Sequence, residues 1–184
     1  SMHGREKGIR QLMAINMLKR LESSVNSFRL TIQRIQELIQ NTINRIDNFS
    51  RDRYGHTSLE VDDYYPSMAA EDEEYYGSAF VGGKKTKIDL ADMDFISWRQ
   101  YLEWDNEILN LLLVMLQDIT PRHDSKLQQL IEDLESKFSH PINDENKKVL
   151  IFTAFSDTAE YLYSELADRI HDEYGLNVAM VTGS

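Results

Sequence analysis

The chain has 184 residues, of which 41% are hydrophobic and 28% are charged, and it contains no cysteine. This composition is typical of a globular protein, and it excludes both a disulfide framework and a zinc site built from thiolates. No apolar run approaches the roughly 20 residues that span a bilayer, so we expect no membrane contact, and the lack of cysteine favours a cytoplasmic protein.

Charge is unevenly distributed along the chain, whose formal net charge is −11. The first 53 residues hold ten Lys or Arg and five Asp or Glu, whereas the remaining residues hold ten and 26. Because nucleic-acid binding depends on neutralising phosphates, we expect any such binding in the basic first third. The acidic remainder is typical of a solvated surface.

The first predicted region, residues 1–54, is one long helix. From Ile9 to Phe49 the chain has no glycine and no proline, and apolar residues recur in steps of three and four. This is the heptad spacing of a helix that packs along a partner. The seam comprises Leu18, Leu21, Val25, Phe28, Ile32, Ile35, Ile39, Thr42, Ile46 and Phe49. The arginines that lie off the seam either face a phosphate backbone or form a solvated flank; they are Arg20, Arg29, Arg34 and Arg45.

The second region, residues 55–91, is an acidic and aromatic loop whose order the sequence leaves open. It lacks sustained periodicity and carries several glycines. Residues 77–86 approach the phosphate-binding pattern G-x-x-x-x-G-K-[ST], but Gly83 intervenes and Lys85 precedes the threonine. Neither a strand before it nor an apolar helix after it is predicted, so we expect no nucleotide site there.

The third region, residues 92–139, is predicted to hold two helices. In the first, over 92–119, Phe95, Trp98, Leu102 and Leu109 share an apolar stripe, which favours core packing over a cofactor site. Asp105 falls on this stripe, so we expect it at an open end or opposite a basic partner. Pro121 ends this helix, and residues 124–138 form the second, which Asp124 or Ser125 caps. With the long first helix, the stripe over 92–119 suggests an antiparallel hairpin.

The last region, residues 140–184, is predicted to be strand, helix and strand. An apolar run at 149–152 precedes a helix that starts at Ser156-Asp157 and ends at Gly175, and a second strand follows at 178–181. The predicted fold class is therefore mostly α with a partial α/β element, namely a long antiparallel helical hairpin and an incomplete Rossmann-like βαβ unit. Such a unit leaves sheet edges uncovered, so we expect the chain to be a piece of a larger protein.

Four stretches also carry a resemblance to a known family. They are KVLIFTAFSDTAEYL, VAMVTGS, MLKRLESSVNSF and DSKLQQLIEDLE. They resemble the bacterial Swi/Snf-like branch of the superfamily 2 helicases, over residues 8–49 and 122–184, with 147–184 similar to motif IV and the start of the second RecA-like lobe. The resemblance implies an ATP-dependent helicase or translocase on duplex DNA, with RNA left open. The family's ATP and Mg²⁺ motifs are absent here, so the fragment is expected to bind neither, to lack catalytic residues and to be inactive alone.

The resemblance also implies nucleic-acid contacts at the ends of the predicted strands. Carried over residue by residue, these are Thr153, Ser156, Thr182 and Gly183, to which the basic helix adds Arg20, Arg29 and Arg34. A helix start near Ser156 offers free N–H groups to an anion. Asp157 would repel a phosphate there, and capping of the helix explains Ser156 and Asp157 equally.

An alternative hypothesis from another class is a coiled-coil interaction or dimerisation module without catalytic activity. Its helical seam would recruit a partner or a second copy. A homodimer through uncovered helix or strand edges is compatible with both hypotheses. A third hypothesis is a small α/β regulatory protein complete in itself, which the stop at Ser184 disfavours.

Overall fold

The computed structural model describes residues 2–51, 58–60, 87–143 and 145–183, which are mainly helical. The helices are α1 (Met2–Ser23), α2 (Val25–Arg51), α3 (Phe95–Gln117), α4 (Ser125–Ser139) and α5 (Ser156–Tyr174). Two short strands, β1 (Ser58–Glu60) and β2 (Lys87–Asp89), pair in antiparallel register. Single 3₁₀ turns occupy Leu90–Asp92 and Pro121–His123. Most of the predicted loop at 55–91, including residues 77–86, lies outside the described residues.

The stretch predicted as one long helix is divided at Ser24. Its hydroxyl accepts a hydrogen bond from the Ser27 backbone N–H at 2.9 Å, which is the contact of an N-cap residue. The same hydroxyl lies 3.3 Å from that of Thr158 in α5. Periodicity does not reveal the division because serine is compatible with a helix interior as well as with a cap.

Two helix ends predicted from the sequence are confirmed. The Asp124 carboxylate accepts hydrogen bonds from the backbone N–H groups of Lys126 and Leu127, so Asp124 rather than Ser125 caps α4. Gly175 follows α5 in the left-handed conformation, with φ of 63°, and donates its N–H to the His171 carbonyl. Glycine adopts this conformation at little steric cost, which explains why the helix ends there.

The predicted fold class is wrong, because the described residues contain no βαβ unit. Residues 149–152 and 178–181 have no regular secondary structure, and no backbone ladder among the described residues joins them. The side chains of Leu150 and Phe152 are 83% and 89% exposed. Apolar, β-branched composition favours a strand, but a strand exists only where a neighbour completes its hydrogen bonds and covers its face. Residues 149–152 have this composition, but no strand among the described residues pairs with them.

The chain divides into two compact units. The terminal unit comprises residues 1–30 and 115–184, and the central unit comprises residues 31–114. In the terminal unit, α4 packs on α5 through a core of Leu127, Leu134, Phe138, Leu166 and Ile170. Leu176 and Val178 pack against this core from the segment after α5.

The central unit has its own core, built where α2 packs on α3. Ile39, Ile43, Ile46 and Phe49 of α2 are buried with Leu90 and Leu102. The rings of Phe49 and Phe95 meet edge to face, with centroids 5.3 Å apart. From Ile32 onward the predicted seam is buried except at Ile35, which is half-buried, whereas Leu18 and Leu21 of α1 are exposed.

Candidate functional site

Arg20, predicted to contact nucleic acid, is buried in the terminal unit with only 1% of its surface exposed. Its Nη1 donates a hydrogen bond to Asp157 Oδ2 at 3.0 Å, and its guanidinium carbon lies 4.7 Å from the centroid of the Phe155 ring. Ser27 and Thr158 are buried as well. The acid that argued against phosphate at this helix start is therefore the partner of Arg20. In this arrangement the guanidinium holds a carboxylate and is shielded from solvent.

Arg29, also predicted to contact nucleic acid, donates hydrogen bonds to backbone carbonyls at the C-terminal end of α3. Its Nη2 donates to the carbonyls of Leu116 and Ile119, at 2.8 and 2.9 Å. These carbonyls lie in and just after the last turn of α3. The Leu116 carbonyl also accepts the Ile119 N–H at 3.2 Å, so Arg29 adds a side-chain donor where the helix ends. Arg34, the third predicted arginine, is half-buried in the part of α2 that belongs to the central unit.

The four positions carried over from the family are not brought together by any hydrogen bond among the described residues. The Thr153 hydroxyl donates to the Phe155 carbonyl at 3.0 Å, and Ser156 is the first residue of α5. Thr182 and Gly183 are exposed in the irregular segment after Gly175. Their role in nucleic-acid binding stays a prediction.

The terminal unit has a pocket of about 270 Å³ beside Arg29, Asp124 and Tyr161. The Tyr161 hydroxyl donates to Asp124 Oδ2 at 3.1 Å, while Oδ1 of the same carboxylate caps α4. Burial, followed by the negative charge of Asp124, raises the pKa of Tyr161 above its ordinary value. Both carboxylate oxygens and the phenol therefore already have structural partners, which leaves this pocket without a free reactive group among them.

A second apolar stripe runs along α3, away from the core of the central unit. Tyr101, Trp104, Ile108 and Leu111 are 59%, 51%, 58% and 62% exposed. They recur in steps of three, four and three, so they share one face of the helix. We call these four residues the α3 stripe. At about 100° per residue, the stripe lies roughly 120° around α3 from the face that carries Trp98, Leu102 and Leu109 toward the core.

The α3 stripe is the site that the sequence analysis missed. Only one apolar stripe, the one that carries Trp98, Leu102 and Leu109, was predicted for this helix. The sequence did contain a signal for the second stripe. A helix with one buried stripe should be polar on its other faces, and this helix is apolar on a second face. The Tyr101 and Trp104 rings meet nearly edge to face, with centroids 5.6 Å apart, so the start of the stripe is an ordered aromatic pair.

Negative charge lines the α3 stripe. Asp105 and Glu107 are exposed, and no ion pair among the described residues engages either one. Asp105 had been expected at an open end or opposite a basic partner, and it is open to solvent. Arg99, the only cation of α3, donates to Asp47 at 2.6 Å and to Glu103 at 2.8 Å. The hydrogen bond from Arg99 holds the pKa of Asp47 below its usual value.

Metal and membrane sites were not found in the part of the chain that the structure describes. Those residues hold no group of three or more His, Cys, Asp or Glu side chains able to bind a metal ion. None of their helices is both long enough and apolar enough to cross a bilayer. The sequence predictions about metal, ATP and membrane contact stay predictions.

Comparison of the chain with models of protein families, with curated proteins and with solved structures gave no match. The resemblance to the Swi/Snf-like helicases therefore stays a prediction that rests on the short stretches quoted above. What the chain can bind has to be inferred from its own exposed and buried side chains.

Proposed function

We propose that the chain is a protein-interaction module that docks a helix on the α3 stripe. The observation that carries this proposal is the exposure of four large apolar side chains along one face of a helix whose other face is packed in a core. Contiguous apolar surface of this kind marks sites of protein association in soluble proteins. We propose the cytosol as its compartment, since the chain has no cysteine.

The spacing of the stripe specifies what it can receive. Side chains three and four residues apart form the seam into which a second helix inserts its own apolar side chains. The aromatic composition of the stripe favours affinity, because tryptophan and tyrosine are among the side chains that contribute most to the binding energy of interfaces. Trp104 and Ile108 lie in the middle of the stripe, where a docked helix would shield them from water.

The role of the chain in a nucleic-acid motor stays a prediction from the resemblance. The binding of ATP, Mg²⁺ and duplex DNA by the parent protein stays a prediction as well. No contact among the described residues favours it. Two of its three predicted arginines, Arg20 and Arg29, are occupied by a carboxylate and by helix carbonyls. Helix docking uses surface that is exposed without any rearrangement, so it is the function that the geometry supports best.

A designed peptide tests the docking proposal. It should be a helix of about three heptads with leucine at the apolar positions and uncharged glutamine on both flanks. We expect saturable binding by calorimetry, weakened about thirtyfold by Ile108→Ala, because a buried isoleucine contributes roughly 2 kcal/mol. Ile96→Ala is the matched control, since Ile96 is 71% exposed on the same helix but lies off the stripe.

Two outcomes would contradict helix docking on this face. One is a chain that binds no such peptide and stays monomeric at high concentration in sedimentation experiments. The other is equal loss of binding in the Ile108→Ala and Ile96→Ala variants, which would locate the contact elsewhere.

A further inference from the structure

The charges at the margins of the α3 stripe lie on both of its sides. In a helical projection at about 100° per residue, Asp105 and Glu107 each fall about 80° from the centre of the stripe, in opposite directions. These are the flanking positions of a coiled-coil seam, where charged residues meet the flanks of the partner and determine which partner is accepted. Both side chains are exposed.

No cation of α3 neutralises these two carboxylates. Arg99 is engaged by Asp47 and Glu103, at 2.6 and 2.8 Å. Neither Asp105 nor Glu107 forms an ion pair with any described residue. The apolar stripe is therefore bordered by negative charge that is available to an incoming partner.

A second copy of the chain does not complement this surface. Pairing α3 with α3 in antiparallel orientation brings Asp105 near Asp105 and Glu107 near Glu107, and like charges across a seam weaken it. A helix with lysine or arginine on both flanks would instead form ion pairs on each side of the seam. Opposite charge across an interface raises the association rate as well as the selectivity for that partner.

We propose that the occupant of the α3 stripe is an amphipathic helix of another protein with basic residues on both flanks. This inference rests on the proposed docking function and adds the chemistry of the partner. The stripe provides apolar contact area, and Asp105 and Glu107 select the charge of the flanks. The basic flank pairs with the two carboxylates, whereas an acidic flank meets repulsion.

Three peptides that differ only in their flanks test the inference. They have leucine at the apolar positions and lysine, glutamine or glutamate at the flanking positions. We expect the lysine peptide to bind about tenfold more tightly than the glutamine peptide, and the glutamate peptide about tenfold more weakly, since two exposed ion pairs contribute roughly 1–2 kcal/mol together. The preference should shrink when salt rises from about 50 to about 500 mM, because the charges are exposed.

Charge reversal on the protein provides the decisive comparison. The double variant Asp105→Lys with Glu107→Lys should invert the order of the three peptides. The double variant Glu132→Lys with Asp168→Lys makes the same change in net charge at exposed positions of α4 and α5 and should leave the order unchanged. Equal effects of the two double variants would attribute the preference to net charge alone and overturn the inference.

Failure of this inference differs from failure of the docking function. If the three peptides bind alike and Ile108→Ala weakens all of them, the stripe docks helices without selecting their charge. A dilution-resistant dimer of the chain that Ile108→Ala dissociates would make a second copy the occupant. If no peptide binds and the chain is monomeric, both proposals are overturned.

Discussion

Each unit of the chain has an ion pair that joins two of its helices, and these two pairs lie in different environments. In the terminal unit, Arg20 and Asp157 are almost fully buried, with side chains 1% and 4% exposed. In the central unit, Arg99 and Asp47 are about one-third exposed. A buried pair loses the hydration of both charges, and only close, well-aligned contacts between the charges offset that free-energy cost. An exposed pair keeps most of its hydration, so both its cost and its gain are small. We therefore expect loss of the Arg20–Asp157 pair to lower stability far more than loss of the Arg99–Asp47 pair.

The largest expected effect comes from removing one partner of the buried pair. Arg20→Ala removes the guanidinium that donates to the buried Asp157 carboxylate, and breaking a buried ion pair typically costs about 3–5 kcal/mol. We expect urea unfolding followed by circular dichroism to show this loss. Arg169→Ala is the matched control, because Arg169 forms exposed pairs with Glu135 and Glu173 in the same unit and should change stability by less than about 1 kcal/mol.

A double substitution sharpens the same prediction. Arg20→Met with Asp157→Leu removes both charges and keeps apolar volume, which is often neutral or stabilising. Recovery of stability in the double variant would show that the cost of Arg20→Ala comes from breaking the buried ion pair. A double variant as unstable as Arg20→Ala would instead mean that packing around the guanidinium, including the Phe155 ring, is what is lost.

A smaller effect is expected at Tyr161, also in the terminal unit. Tyr161→Phe removes the hydrogen bond to Asp124 and should cost about 1 kcal/mol at neutral pH. Because the pKa of Tyr161 is raised in the folded chain, its contribution is complete below the ordinary value of 10 and falls as pH rises above it. Denaturation curves between pH 8 and about 11.5 should therefore decline less steeply in Tyr161→Phe. Equal slopes in both proteins would contradict this assignment.

The smallest expected effect is that of the exposed pair in the central unit. The pKa of Asp47 is lowered from 3.8 in the folded chain, so its stabilising contribution is present above that pH and is lost as pH falls through the lower value. Arg99→Ala should cost no more than about 1 kcal/mol at pH 7 and should flatten the acid side of the stability profile. A loss as large as that of Arg20→Ala would break the contrast between the two units.

Local signals in the sequence identified most helices and their ends. Asp124 caps the start of α4 and Gly175 follows the end of α5, as predicted, because capping depends only on the conformation of a few neighbouring residues. The prediction of strands at 149–152 and 178–181 was wrong because a strand does not depend on local signals alone. A strand is defined by pairing with a partner, and composition reports only that the segment would suit one.

The arginines illustrate a second limit of sequence reasoning. Arg20 and Asp157 are 137 positions apart, and nothing local distinguishes an arginine that meets a distant carboxylate from one that faces solvent. Heptad spacing predicted the seam of α2, which is largely buried from Ile32 onward, but it predicted a single apolar stripe on α3, which carries two. That stripe could have been found by asking which apolar residues remained once a single face had been assigned.

The exposed run at 149–152 has a consequence for the colloidal behaviour of the protein. An exposed apolar segment that joins no backbone ladder among the described residues is a template for intermolecular strand pairing, and this one contains no charge. Lys147 and Lys148 precede it directly, in the position of gatekeeper residues that oppose stacking of like segments by electrostatic repulsion. Because salt screens that repulsion, high ionic strength should promote aggregation of a chain whose fold it leaves intact.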